Sequence, residues 1–349
     1  MKKIIVSIFF LSISFGIIAQ SYIVQIKLIN KNEWGYIDIN ENPIGTDYYQ
    51  RCFPFTENGY AIVIEEKQLF FINKFGEKLE TEIQNFRLIQ FAGIFGEIQG
   101  YHNGLVAVMK DNKWGYLDIS GHIFIPLKYD KVSIFNGGFA VAKLKNDFFV
   151  LNNSGEENKI ISNNIVSIKR FSEGLAPYSN KDKLFGFIDT NGRVVIEAKF
   201  RSVGFFSNGI AWAKTTDNII GYINTEGIWL IQPQFQTAKD FDKISGLARV
   251  KQNNRWNYVN ISGNIRHMSD TELWGDFYDG LAKGRKGGLI GFYDNTGYWV
   301  INPKFEAVRD FHNGYAAAKK SGKWGLINNI GDWVIQPKYA VIRDIERID

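Results

Sequence analysis

The chain has one cysteine, Cys52, in 349 residues. One thiol cannot close an internal disulfide, so packing and hydrogen bonds must hold the fold. Cys52 reads as a small buried apolar residue beside Phe53 and Phe55, not as a reactive thiol. The four histidines, His102, His122, His267 and His312, show no paired spacing with one another or with Cys52, so no metal site is expected. Nucleophile-elbow, phosphate-loop and dinucleotide fingerprints are all missing, so no catalytic residues and no cofactor are assigned. Past residue 19 no apolar run approaches the ~20 residues of a membrane-spanning helix. No stripe of helical period runs over eleven or more residues, so long helices are not expected. The formal charge is +5. Part of it lies in Lys2 and Lys3, and the rest is spread evenly along the chain, which argues against nucleic acid or an anionic membrane as partner.

What the chain does have begins with a leader. Lys2 and Lys3 precede an apolar stretch, Ile4–Ile18, that is too short to span a bilayer and is followed by Ala19-Gln20-Ser21. Residues 1–19 read as a signal peptide cleaved near Ala19. The expected destination is the periplasm, the cell surface or the medium. No cysteine follows the apolar stretch, so a lipid anchor is not expected.

From residue 20 onward one pattern recurs. Lys113-Trp114-Gly115-Tyr116-Leu117-Asp118 and Lys323-Trp324-Gly325-Leu326-Ile327-Asn328 are near copies. Nine equivalent anchors follow: Trp34, Leu69, Trp114, Phe148, Phe185, Ile220, Trp256, Ile290 and Trp324. All steps but one lie between 34 and 37 residues. The exception, from Leu69 to Trp114, implies an insertion of about ten residues within 77–100. Each unit adds an apolar run closing on Pro-Lys-aromatic, as in Ile301-Asn302-Pro303-Lys304-Phe305. An aromatic-polar-Gly turn then leads into a run of small apolar residues, as in Phe311-His312-Asn313-Gly314-Tyr315-Ala316-Ala317-Ala318.

In combination these motifs resemble the WG-repeat (KWG-repeat) family of bacterial proteins, over essentially the whole chain after the first twenty residues. Some units depart from the pattern: Phe149 follows Phe148 and Asn257 follows Trp256 where Gly is usual, and the Leu69 unit is degenerate. The resemblance implies a β-repeat fold and attaches no catalytic residues to it.

The short Ile/Val/Phe/Tyr/Trp runs punctuated by Gly, Asn and Asp predict strands. Asp38, Asp118, Asp189 and Asp294 share one turn position, where an Asx side chain caps its own turn and a following Gly takes positive φ. That common role outweighs acid–base chemistry. Gly284-Arg285-Lys286-Gly287-Gly288 reads as a hairpin loop ahead of a phosphate cradle. The expected fold is all-β: about nine three-stranded antiparallel units in one array over 20–349, irregular at 77–100. One unit cannot bury enough surface alone, so neighbours must stack. Nine exceeds the usual blade number of a propeller, and the array begins and ends at a unit boundary. An open, twisted β-solenoid is therefore favoured over a closed β-propeller, with the charged segment Arg343–Asp349 capping its last edge.

Trp34, Trp114, Phe185, Trp256 and Trp324 read as structural anchors, since Leu, Ile and Phe replace Trp elsewhere. Trp229, Trp299 and Trp333 share a second repeat position. With Trp212 and Trp274 they either pack between repeats or form an aromatic line suited to sugar rings. The functional expectation is an exported, non-enzymatic scaffold that binds a protein or a cell-envelope polymer. The alternative is a glycan-binding module using the Trp column, and a third reading is an enzyme with its site near 77–100.

Overall fold

The computed structural model describes residues 21–46, 48–90, 98–162, 164–268 and 270–348. The expected signal peptide, and 91–97 of the expected insertion, lie outside the described residues. The described chain forms nine antiparallel sheets of three or four strands in sequence order, and one 3-10 turn at Ile83–Asn85. Each sheet is a blade. The sixth shows the plan: Ser202–Val203, Ile210–Lys214, Ile220–Asn224 and Trp229–Phe235 pair in order as first to fourth strands. Seven sheets have this four-stranded form, so the expected three-stranded unit lacked the short first strand.

The ring is closed. Val341–Ile348 pairs antiparallel with Ser21–Lys27, with Val24 opposite Ile345 and Ile26 opposite Ile342. The last strand of the chain thus becomes the first strand of blade 1, beside Ser21–Lys27 and Trp34–Asp38. This corrects the open β-solenoid: the architecture is a nine-bladed β-propeller. The segment expected to cap an edge instead abolishes one. Ile342, Ile345 and Ile348 are each buried to 1 % exposure, which a solvated cap would not require.

All nine anchors fall on the third strand of their blades. The Gly after the anchor has a specific steric cause. A Cβ on Gly291 would lie 2.3 Å from the carbonyl oxygen of Ile301, and one on Gly325 2.4 Å from that of Ile335. The fourth strand crosses the third at this point, where the pairing register slips. Pro303 and Pro337 sit in the slipped stretch, on the outer strand, where no ladder donor is required.

Blades lock through aromatic pairs. The residue two after the anchor meets the aromatic that follows the first strand of the next blade. Tyr116–Phe135, Tyr222–Phe241 and Phe292–Phe311 lie at centroid distances of 4.9, 4.8 and 4.6 Å. Where this residue is tyrosine, its hydroxyl donates to the next blade's backbone: Tyr116 to Ser133 O at 2.7 Å and Tyr222 to Lys239 O at 2.7 Å. Each such pair adds about 0.5–1.5 kcal/mol beyond its burial. The repeat therefore stabilises seams, not isolated blades.

Candidate functional site

Because strands alternate in direction, the connections alternate between the two faces of the disc. Turns joining first to second and third to fourth strands lie on one face, here the turn face. Hairpins joining second to third strands, and the links from blade to blade, lie on the other, the hairpin face.

The third-to-fourth turns follow the expected Asx design. Asp118 Oδ1 accepts from the amides of Ser120 (2.9 Å) and His122 (3.0 Å), and Gly121 takes φ of 80°. Asp189 accepts from Asn191 and Arg193, at 2.9 and 2.8 Å. These carboxylates are committed to their own turns. The turns also present side chains that no turn needs. Phe75, Ile119, Ile228, Ile261, Tyr298 and Ile330 are large, apolar and exposed, and they sit in the same turn on six blades.

The first-to-second turns link neighbouring blades. Asn103 Oδ1 accepts from Gly138 N at 3.1 Å, Glu173 Oε2 from Gly209 N at 2.8 Å, and Asp279 Oδ2 from Gly314 N at 2.9 Å. Within this inner circle lies a cavity of about 410 Å³. Its lining combines Phe53, Phe55 and Glu57 of blade 2, Gly100 and His102 of blade 3, Asn313 of blade 9 and Arg347 of blade 1. Blades 9 and 3 are not neighbours. One cavity touching both places it toward the axis and makes the first strand the inner one.

His102 Nδ1 stands 3.4 Å from Glu57 Oε2, and Glu57 Oε1 accepts from Asn103 N at 3.1 Å. Burial works to raise the Glu57 pKa. Hydrogen bonds from His102, from its own amide and from Asn103 outweigh that and hold the carboxyl below its ordinary value. The cavity is thus a recess of mixed apolar and polar lining with a charged edge, a form suited to seating a side chain or small ligand. Among the described residues no group of three or more His, Cys, Asp or Glu is placed to hold a metal ion.

The period-breaking insertion leads into this region. Its described ends form an antiparallel stem, with Gln90 opposite Ile98 and Gln99 N donating to Ile89 O at 2.9 Å. The stem leaves the inner strand of blade 3, after Arg87–Leu88, and Ile98, Gln99 and Gly100 line the cavity. The broken period was the signal in the sequence. The partnership of His102 with Glu57, 45 residues apart, was not legible there.

The tryptophans lie elsewhere. Trp229 and Trp333 are half-buried and meet Phe200 and Phe305 of the preceding blade edge-on, at 5.6 and 5.5 Å. Trp299 meets Tyr293 at 5.4 Å, and its indole N–H donates to Asp270 at 3.0 Å. Trp212 covers Gly204, where a Cβ would fall 2.5 Å from Nε1, and hydrogen-bonds Asp240 of blade 7. Loss of water raises the Asp240 pKa; Lys239 and the Trp212 bond oppose the shift and Asp276 adds to it. The structure does not bring these indoles to the cavity. Trp34, Trp114, Phe185, Trp256 and Trp324 are likewise half-buried, and Trp256 lies beneath the Arg249 guanidinium at 4.5 Å. Arg249 reaches across the seam to Asp276 at 2.6 Å, as Lys283 does to Asp310 at 2.9 Å.

The family model described as a WG containing repeat matches residues 34–67, 91–114, 114–147, 185–218, 220–256, 290–324 and 324–347, more than half of the chain. No curated protein matches the sequence. Among solved structures, the crystal structure of the eukaryotic initiation factor has a TM-score of 0.60 at 10 % identity, covering 94 % of this chain and 98 % of that one. BamB from Moraxella catarrhalis has a TM-score of 0.39 at 10 % identity, covering 77 % of this chain and 92 % of that one. At such identity the first likeness speaks for the fold alone. No helix among the described residues is long and apolar enough to cross a membrane.

Proposed function

We propose, for a chain that belongs to the WG containing repeat family, the role of an exported, non-enzymatic scaffold that seats a partner protein on its turn face. Export is supported by the leader pattern of residues 1–19. The observation that carries the docking face is the exposure of Phe75, Ile119, Ile228, Ile261, Tyr298 and Ile330, one in the third-to-fourth turn of each of six blades. Isolated exposed apolar residues are ordinary, but one in the same turn of each of six blades, all on one face, sets a pattern that packing does not require. Inside this circle lies the cavity with its His102–Glu57 edge, a pocket for an anchor side chain of the partner. The first-to-second and third-to-fourth turns together carry a formal charge of about −9, so the partner presents apolar side chains flanked by Lys or Arg.

The test is capture from cell-envelope extract by immobilised residues 20–349, compared with an Ile261→Glu, Tyr298→Glu, Ile330→Glu variant. These side chains are exposed, so the variant is expected to melt with the parent. The parent retains a defined protein that the variant loses. Equal retention by both, or capture of nothing by the parent, counts against the reading.

A further inference from the structure

The hairpin face has the opposite chemistry. Five of the nine second strands end with Lys, and three third strands begin with Lys or Arg: Lys110 and Lys113 flank one hairpin, Lys251 and Arg255 another. Every blade places at least one cation in its second-to-third hairpin or on a strand residue flanking it. Counted with one strand residue on either side, the nine hairpins sum to a formal charge of about +6, against about −9 for the turns opposite. The evenness of charge noted along the sequence is therefore an evenness in one dimension only. The strand order gives the hairpin face an excess of cations and the turn face an excess of carboxylates, although some hairpin lysines are paired, as Lys113 is with Asp130 and Lys286 with Asp270.

We infer that the hairpin face is a docking surface for an anionic lipid bilayer. Three observations favour a flat lipid surface over a linear polyanion. First, the cations form a complete circuit over nine blades; a strand of nucleic acid or polysaccharide is tracked by a stripe or groove of charge. Second, the exposed apolar residues on this face are mainly aliphatic: Ile29, Ile219 and Leu289 at hairpins, and Ile161 on the link from blade 4 to blade 5, at 95 % exposure, with Tyr48 the one aromatic among the described residues. Aliphatic tips among lysines suit the headgroup boundary, whereas base or sugar binding calls for aromatic platforms. Third, many of the cations are exposed at hairpin ends, among them Lys145, Lys183, Arg255, Arg285, Lys320 and Lys323. Their partners are then the headgroups, attracted within a Debye length of the surface.

Docked this way, the disc lies flat on the bilayer and turns its acidic, cavity-bearing face outward. The inference does not rest on the proposed protein partner, because it uses the other face.

The experiment is co-sedimentation of residues 20–349, which contain the whole closed ring, with vesicles. One set is pure phosphatidylcholine; the other carries about one-third phosphatidylglycerol. At about 0.1 M salt, binding to the anionic vesicles is expected to exceed binding to the neutral ones by about tenfold, and to collapse at about 0.5 M. An Arg255→Glu, Arg285→Glu, Lys320→Glu variant, altered only at exposed hairpin positions, loses that excess. A turn-face variant, Glu226→Lys, keeps it. Equal binding to both vesicles, or undiminished binding by the triple variant, overturns the inference. So does salt-sensitive retention on a soluble polyanion such as polyphosphate without vesicle binding. Should the triple variant fail to fold, the salt and lipid dependence of the parent still decides.

Discussion

Deleting residues 341–349 tests the closure directly. The deletion removes Ile342, Ile345 and Ile348, each at 1 % exposure. Burial of an isoleucine contributes about 2 kcal/mol, so these three side chains alone account for about 6 kcal/mol. The deletion also takes the ladder partners of Ser21–Lys27 and the Asp344 carboxylate, which the Arg309 guanidinium grips through two nitrogens. A domain of ordinary stability holds about 5–15 kcal/mol in total, so the loss approaches or exceeds what is available. The seven-residue strand Ser21–Lys27 is left as an open edge, with its own apolar Val24 and Ile26 uncovered. Such edges aggregate. The intact ring is expected to show a radius of gyration of about 20 Å by X-ray scattering. The truncated chain is expected to expand or associate and to lose most of its urea midpoint, and a synthetic 341–349 peptide should restore both in part. If the segment were only a solvated cap, truncation would cost about 1 kcal/mol. A truncated monomer with the parent's midpoint and radius would refute the closure argument.

Two glycines separate close approach from backbone conformation. Gly291→Ala drives a Cβ to within 2.3 Å of Ile301 O and 2.6 Å of Pro303 N, both backbone atoms, and should cost about 3 kcal/mol. Gly314→Ala meets nothing within 4 Å and bears only its φ of 83°, which should cost about 1 kcal/mol; urea denaturation giving the reverse order would refute the crossing argument. Alkaline stability follows from buried protons. Burial pushes the Cys52 thiol up to about 12 and raises the Tyr36, Tyr116 and Tyr222 phenols above their ordinary values. The folded chain then keeps protons that the unfolded chain releases from about pH 9 upward, so the unfolded state binds fewer and stability falls as pH rises. The urea midpoint should hold steady up to about pH 9 and drop by pH 10.5; a midpoint that rises over that interval would contradict the burial of these groups.

The anchors and the Asx turns were legible because each is local. Asp118 needs only the next four residues to make its turn. The short first strands were not legible: Ser202–Val203 is two residues long and leaves no periodicity. The closing strand hid for a different reason. Its buried apolar residues are 342, 345 and 348: a bulge opposite the stretch from Val24 to Ile26 puts 342 and 345 in one cluster, and 348 turns into another. Alternation is lost there, and the segment reads as a charged tail. The candidate cavity was legible only as a broken period. Its walls come from four blades, and no pattern within one repeat encodes a meeting of Asn313 with His102.

The pairing of Val341–Ile348 with Ser21–Lys27 also sets the order of events during synthesis. The first strand made waits for the last, across more than three hundred residues, while blades 2 to 9 can dock as they emerge. Ring closure is then the slow and vulnerable step, and the interval before it is when a chaperone has something to protect. The seam itself carries no other privilege. Every blade-to-blade boundary is crossed by a covalent link, as at Gln236 between blades 6 and 7, so a circular permutant cut there and rejoined from residue 348 to residue 21 should reach the same ring, closing between blades 6 and 7.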